Sequence, residues 1–487
     1  MSTTTSTTTS TTTSAVHGTD NGTAPYAATR HLLAVRQSCR LAVGQDPGTL
    51  SVTTPLWAQP IRLGDPAVID AVQSLQAGPR ELSELMLEVT RGAGGMTRAG
   101  LLQAVIGKLQ QVGVLDHVLL DPDGVELARL TGKGPLPVTL ARTAPETGRL
   151  SPLAVITVEG GRATIQSGLS HLQVALDPGV LAVLVGGGLL DQSAYGSAVA
   201  RFLESAALWE VEPATDREHR QWSAAELWVH RLSHESGSSD AYGGTYHLGE
   251  DFEPLDYVRE AAEHSLELPT PDLTALRSSD LPLADVVERR RSIRDFTTEH
   301  PSLAELGELL FRTCRSRGIF REPERGVDVV DRPYPSGGSM HELDVYVVAP
   351  GSPHLERGLW RYAPDRHALD LVTDEEAQVA VLVNDLQQAA TLDQPAPFGL
   401  LITARFGRLM WKYQTMAYAL ILKHVGVLYQ TFYLNATAMG LGVCGLGGAA
   451  TSHFATTTGI SPLAEGVVGG LVAGHPGSVP ESPWSTS

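Results

Sequence analysis

Three guanidiniums and a hydroxyl fall within five residues at Arg290-Arg291-Ser292-Ile293-Arg294, and Phe296 follows as an apolar anchor. No other stretch restricts the fold as strongly. Arginine makes bidentate, charge-assisted bonds to phosphate-type oxygens, and a serine hydroxyl adds a donor. A surface helix spreads such charges around several faces, whereas here they cluster at the start of a segment. A fold that uses them must bring that start to an anion. The plainer alternative is a solvated basic run in a linker. The run opens a stretch of roughly 200 residues that reaches the C-terminus, the length of one domain.

The 487 residues leave room for about two to four domains. A net charge of -18 argues against a general nucleic-acid binder and against a polybasic membrane contact. Cys39, Cys314 and Cys444 cannot build a disulfide framework, so a reducing, cytoplasmic setting is expected. Residues 1–25 begin with a Ser/Thr tract without charge or apolar core. They read as a disordered tail with no signal peptide. Met410 to Leu441 is apolar but interrupted by Lys412, Gln414, Lys423, His424, Gln430 and Asn435. That pattern predicts a long buried helix and no membrane span.

Between Leu82 and Leu130 the pattern is helix, helix, hairpin. Leu82, Leu85, Met86 and Val89 have helical spacing. Thr97 is placed to cap a second helix that Gly113 ends. Two strands flank Asp121-Pro122-Asp123-Gly124. This predicts a winged-helix-like domain at 26–148. Residues 79–130 carry five basic and seven acidic side chains, net -2. Duplex DNA needs more positive charge, so peptide binding or a structural role fits better. A second winged-helix-like unit is expected at 149–246, built from a hairpin around Gly160-Gly161, short helices after Asp177-Pro178 and Ala194, and a strand at Ala207–Val211. A proline-bearing linker, 247–283, then leads to a domain at 284–487.

Three more segments of that last domain carry chemistry. Tyr334-Pro335-Ser336-Gly337-Gly338-Ser339 is a turn that feeds a buried strand, and its glycines let backbone approach a flat ligand. It also reads as an ordinary β-turn. Gly440-Leu441-Gly442-Val443-Cys444-Gly445 matches G-x-G-x-x-G, but a helix precedes it where a dinucleotide fold needs a strand. Backbone lying against a planar cofactor explains the glycines better, with Cys444 as a small buried residue. Lys412-Tyr413 offers a base and a proton relay if dry, or a solvated Lys beside a packing Tyr. His230 and His234 stand four apart without the glutamate of H-E-x-x-H, so no metal site is expected.

In this order, R-R-S-x-R-x-F, Y-P-S-G-G, K-Y and Q-x-x-Y-L-x-A-T-A-x-G-L-G resemble the nitroreductase-like flavin fold. More closely they resemble the azoline dehydrogenases of the SagB/ThcOx type, over Ala284 to Gly477. The resemblance implies an α+β chain: a C-terminal FMN domain with a central mixed or antiparallel sheet flanked by helices, dimeric, behind two winged-helix-like units. It implies oxidation of thiazoline or oxazoline rings in a ribosomally made peptide, with dioxygen reoxidising FMN. The azoline-bearing precursor, the pathway's cyclodehydratase and a second copy of the chain are the implied partners. Carried over, Arg290, Arg291, Ser292 and Arg294 would hold the FMN phosphate and ribityl chain or reach the ring edge. Pro335, Ser336, Gly337 and Gly338 would line the isoalloxazine, and Gly445, Leu446 and Gly447 would offer backbone donors near N5. Gln430 and His475 complete the implied cofactor set. Lys412 and Tyr413 would act on the substrate. Where the family shows E-A-G-H, this chain has Lys423-His424-Val425-Gly426-Val427. Two other readings stand beside this one: an NAD(P)H-dependent nitro or quinone reductase, and a flavin-bearing scaffold of a peptide-modifying complex.

Overall fold

The computed structural model describes residues 29–55, 57–92, 94–132, 140, 148–159, 161–186, 195–234, 242–448 and 451–477. The Ser/Thr tail, residues 133–139 and 141–147 of the first expected domain, and Gly160 lie outside them. Two compact units emerge, Met1–Ala224 and Ala225–Ser487.

In the first unit the expected helices occur at Leu82–Thr90 and Gly95–Gln111, with the hairpin strands at Leu115–Leu120 and Glu126–Gly132. Thr97 does not cap the second helix. Gly94, in the left-handed region at φ +80, starts it earlier. Asp121 closes the hairpin by accepting the Val125 N–H at 2.8 Å. The residues before Leu82 are more regular than their sequence suggests. Strands Arg30–Val35, Arg40–Val43, Thr49–Thr53 and Ala58–Arg62 precede a helix, Pro66–Ser74. Asp65 caps that helix through the N–H groups of Ala67 and Val68, and Pro66 fills its first turn. Leu50, Val52, Val68, Val72, Leu85 and Leu102 form one core.

A single antiparallel sheet runs through both stretches read as winged-helix-like. Its strands, in spatial order, are Arg30–Val35, Leu115–Leu120, Glu126–Gly132, Leu172–Leu176, Arg162–Ser167 and Ala154–Glu159. Leu172–Leu176 makes the join, pairing with Glu126–Gly132 on one side. The helix Gly196–Ser205 covers this part of the sheet with Val199, Phe202 and Leu203.

The second unit is a seven-stranded sheet with every pairing antiparallel. Its order is Ser265–Glu267, Ala368–Thr373, Gly358–Ala363, Leu343–Ala349, Phe398–Arg405, Glu465–Gly474, Gly442–Leu446. The stretch read as a linker thus supplies the sheet's edge strand, Ser265–Glu267. Strand alternation divides the side chains between two faces. Val345, Val347, Leu400 and Ile402 meet the long helix Ala417–Ala438 and the helix Leu303–Cys314. Tyr346, Val348 and Leu401 meet the helix Glu376–Ala390 and Phe454. The long helix buries Ile421, Val425, Leu428, Phe432 and Ala436, a helical stripe.

That helix is shorter than the expected Met410–Leu441. Phe406–Met410 is a separate helical turn, and Tyr413–Gln414 pairs with Gly243–Gly244 as a two-stranded ribbon. Thr415 has φ +70, a left-handed backbone that no right-handed helix passes through. Among the described residues no helix is long and apolar enough to cross a membrane.

Candidate active site

The long helix carries two clusters. His424 marks one and Tyr433 the other, nine residues on, about 14 Å along the axis at 1.5 Å per residue.

At Tyr433 the basic run is held in place. The helix Leu283–Arg289 ends at Arg290, whose guanidinium lies over the Tyr433 ring at 5.1 Å. Ser292 Oγ is 2.8 Å from the Tyr433 hydroxyl. Ile293 is buried, and its N–H donates to the Val443 carbonyl at 3.0 Å, which stitches the run to the glycine strand Gly442–Leu446. A side chain at Gly442 would fall 2.8 Å from Ile293, so glycine is needed for this approach. Among the described residues Arg291 bonds only carbonyls, those of Glu288 and Arg290. Arg294 is exposed and makes no ion pair or hydrogen bond among the described residues. Nor does any carboxylate pair with Arg290 or Arg291 there. Arg290, Arg291 and Arg294 thus have no carboxylate partner among the described residues.

The glycine strand differs from expectation. Gly445 does not present a free donor, because its N–H donates to the Tyr433 hydroxyl at 2.8 Å. The Leu446 carbonyl accepts the Tyr429 hydroxyl at 2.8 Å, and Leu446 pairs with Gly470 in the sheet. Of the three, Gly447 faces open space, with nothing within 4 Å of a Cβ built there. The segment is a sheet edge bolted to the helix by two tyrosines. Cys444 is buried, and burial raises its thiol pKa. Gln430 is exposed on the long helix. His475 faces Glu305, at 3.6 Å, and not the guanidiniums.

At His424 the Tyr334–Ser339 turn is fixed. Tyr334 is buried and Pro335 exposed. The Gly337 N–H donates to His424 Nε2 at 2.8 Å, and His424 Nδ1 is 2.7 Å from Glu342 Oε1. Ser336 Oγ donates to Glu342 Oε2 at 3.2 Å and accepts the His341 N–H at 3.0 Å. Gly338 sits at the apex with φ +58. Lys412 Nζ occupies the space where a Gly338 Cβ would stand, and the Tyr413 hydroxyl lies 2.9 Å from that point. The ammonium is 5.3 Å from the Tyr246 ring centre and 5.5 Å from that of Tyr413. Tyr246 reaches this place because the chain after Gly243–Gly244 turns back, its N–H donating to the Lys412 carbonyl at 2.9 Å. Tyr413 therefore lies on a ribbon before the long helix, with Lys412 in the turn just ahead of it, and neither is at the helix's start.

Behind the turn, Arg332 donates to the Tyr257 and Tyr334 hydroxyls and to the Leu343 carbonyl. Among the described residues Arg408 donates to backbone carbonyls alone, and burial lowers its pKa to about 10. His341 is buried between Tyr334 and these cations, which keep it neutral. Burial first, then the Arg332 charge, push its pKa down to about 2.

The sequence thus locates the basic run, the turn and Lys412-Tyr413. It does not reveal Glu342, His424, Tyr246 and Tyr433 as parts of the site. Tyr433 lies inside the Q-x-x-Y run, and His424 stands out only as a departure from the family's E-A-G-H. The His230 and His234 rings lie 4.9 Å apart, tilted by 48°, and no group of three His, Cys, Asp or Glu side chains suited to a metal occurs among the described residues.

The Nitroreductase family model matches residues 287–475. A protein named as a nitroreductase in Methanocaldococcus jannaschii is 30% identical over 183 residues, 38% of this chain and 84% of its own length. Among solved structures, a protein named as a nitroreductase from Ralstonia eutropha is similar at 23% identity and TM-score 0.35, over 47% of this chain and 98% of its own. A chain of the E. coli microcin synthetase McbBCD complex, solved with truncated pro-MccB17 bound, is similar at 20% identity and TM-score 0.33, over 48% of this chain and 82% of its own.

Proposed function

We infer the reaction from one premise: the chain belongs to the nitroreductase family through residues 287–475 and is an oxidoreductase of that flavin-type fold. The specific reading is an FMN-dependent dehydrogenase. It converts thiazoline and oxazoline rings in a ribosomally made peptide to thiazoles and oxazoles, and dioxygen reoxidises the FMN. The observation that carries it is the placement of Lys412 and Tyr413 against the apex glycine of the Tyr334–Ser339 turn.

The residues present fit FMN. Arg290, Arg291 and Arg294 lack carboxylate partners among the described residues, which suits a phosphate, and Ser292 adds a hydroxyl beside them. Gly338 leaves the turn without a side chain on the side of Lys412, which suits a flat ring. When bound, FMN supplies the acceptor for the hydride that leaves the azoline. Either Lys412 or Tyr413 takes the ring proton that leaves with it, within reach of one substrate position. The Tyr246 and Tyr413 rings keep the Lys412 amine in a partly dry, fixed place. The precursor peptide, the cyclodehydratase that makes its azolines and a second copy of this chain are the partners under this reading.

A second reading, a nitro or quinone reductase fed by NAD(P)H, is favoured by the M. jannaschii relative's being named a nitroreductase. Mass spectrometry of a thiazoline peptide incubated in air with the FMN-loaded protein separates the two. Loss of two hydrogens per ring is expected. An unchanged peptide together with steady NAD(P)H oxidation would replace the first reading by the second.

A further inference from the structure

We propose that Glu342 and His424 form a clip whose task is to position Lys412 and Tyr413, through the glycine turn between them. The proposal rests on the reading of Lys412 and Tyr413 as the groups that handle the substrate proton.

The direction of each hydrogen bond in the clip is forced. A backbone N–H only donates, so His424 Nε2, 2.8 Å from the Gly337 nitrogen, is an acceptor. The ring proton must then sit on Nδ1, which points at Glu342 Oε1 from 2.7 Å. That oxygen accepts. Ser336 gives its hydroxyl proton to the other carboxylate oxygen and takes the His341 N–H in return. Residues 336, 337, 341 and 342 are thereby tied to one another and to the long helix. The clip bonds both ends of the turn and leaves only the apex free.

The clip is placed where a plain structural pair would be expensive. Glu342 is fully buried and has no Lys or Arg partner among the described residues. A buried carboxylate without a cation is costly unless hydrogen bonds satisfy it, and apolar packing would hold a turn more cheaply. The turn itself is strained. Ser339 has φ +56 and His341 φ +46, left-handed backbone for residues that carry a side chain. Such conformations persist only where the surroundings over-determine them, and they gather at functional sites. Here the surroundings are the clip.

Its leverage comes from Gly338. Lys412 Nζ and the Tyr413 hydroxyl crowd the point where a Gly338 side chain would begin, so their tips rest on this residue. A tilt of the turn moves both tips. Glu342 and His424 contact neither tip directly, which makes them positioning residues and not catalytic ones.

The test uses the full-length FMN-loaded chain with His424→Ala, His424→Gln and Glu342→Gln. Three properties are read: azoline oxidation, amine labelling of Lys412, and hydrogen exchange over residues 336–342. A displacement of about 1 Å at a reacting group can cost on the order of 100-fold in rate. His424→Ala and Glu342→Gln should therefore lower kcat by about 10- to 100-fold, with KM and FMN content near wild type. Lys412 labelling should change, and exchange in the turn should quicken. His424→Gln, which still offers an acceptor to Gly337, should recover part of each. If His424→Ala unfolds, Glu342→Gln carries the same readings. Wild-type kcat, labelling and exchange in either of these variants would overturn the clip. So would a loss in which FMN content falls in step with kcat and His424→Gln fares no better than His424→Ala. If the wild type oxidises no azoline while labelling and exchange still shift, the clip stands and the reading of the chemistry falls.

Discussion

Lys412 and Tyr413 are neighbours in sequence, and that adjacency makes the pair visible in the sequence alone. Their setting is not legible there. Tyr246 lies far back in the chain, and Glu342 and His424 are separated by 82 positions yet share a 2.7 Å hydrogen bond. Periodicity and short motifs report local order and do not carry such pairings. Lys412→Ala and Tyr413→Phe should keep FMN and lose ring oxidation by roughly 10²–10⁴, the usual contribution of a positioned acid or base. Rapid single-turnover assays would check this, and full activity in Lys412→Ala would pass the role to Tyr413. His341 makes a separate prediction. Its folded pKa of about 2 lies below the ordinary 6.5. Between those values the unfolded chain binds more protons at this site than the folded one. The stability it contributes is whole above pH 6.5 and declines as pH falls towards 2, by up to about 1.4 kcal/mol per pH unit. Burial sets this low value first, the Arg332, Arg408 and Arg317 charges add to it, and the Tyr334 ring stands edge-on to His341 at 5.0 Å. His341→Gln should flatten the pH dependence of urea stability over that window, and equal slopes in the two proteins would contradict the assignment.

Among elements, the long helix does most to organise the site. His424 reaches the turn from it, and Tyr429 and Tyr433 reach the glycine strand. Its existence is plain from the apolar pattern, but its start is not. Residues 410–416 remain apolar enough to continue a helix, and only the left-handed backbone at Thr415 and pairing with Gly243–Gly244 end it early. The glycine strand misleads for a related reason. Its glycines allow close packing of Ile293 and Tyr433, a demand that looks the same in sequence as a ligand's. We predict that two copies meet along the outer face of this helix, where Tyr418 and Leu422 are exposed one turn apart and Gly426 continues the same row with open space at its Cβ. Sedimentation should give a dimer that Leu422→Glu weakens. A monomer at all concentrations that keeps FMN and activity would contradict this.

At the scale of the whole chain, the nitroreductase match leaves the first unit unexplained. That unit is legible in part. Its helices and hairpin follow amphipathic spacing, whereas the strands before Leu82 carry weak alternation. The strand that joins the sheet, Leu172–Leu176, becomes evident only through its partners. We predict that residues 79 to 245 bind the substrate peptide away from the reacting ring. The sheet ends at Ala154–Glu159, an edge strand with exposed Ile156 and Val158, the kind of edge to which an extended peptide adds main-chain hydrogen bonds. A precursor with its leader should then show higher kcat/KM than a short ring-bearing fragment, because tethering raises the ring's effective concentration. Equal values, with no measurable leader binding, would leave this unit as scaffold.

One measurement reaches the centre of this picture. The FMN-loaded protein is mixed, without oxygen, with a thiazoline peptide, and the flavin absorbance and the peptide mass are followed together. The yellow colour should bleach as one thiazole forms per FMN, and it should return when air is admitted. A flavin that stays oxidised with the azoline but bleaches at once with NAD(P)H would show that the site reduces other substrates and does not aromatise peptide rings.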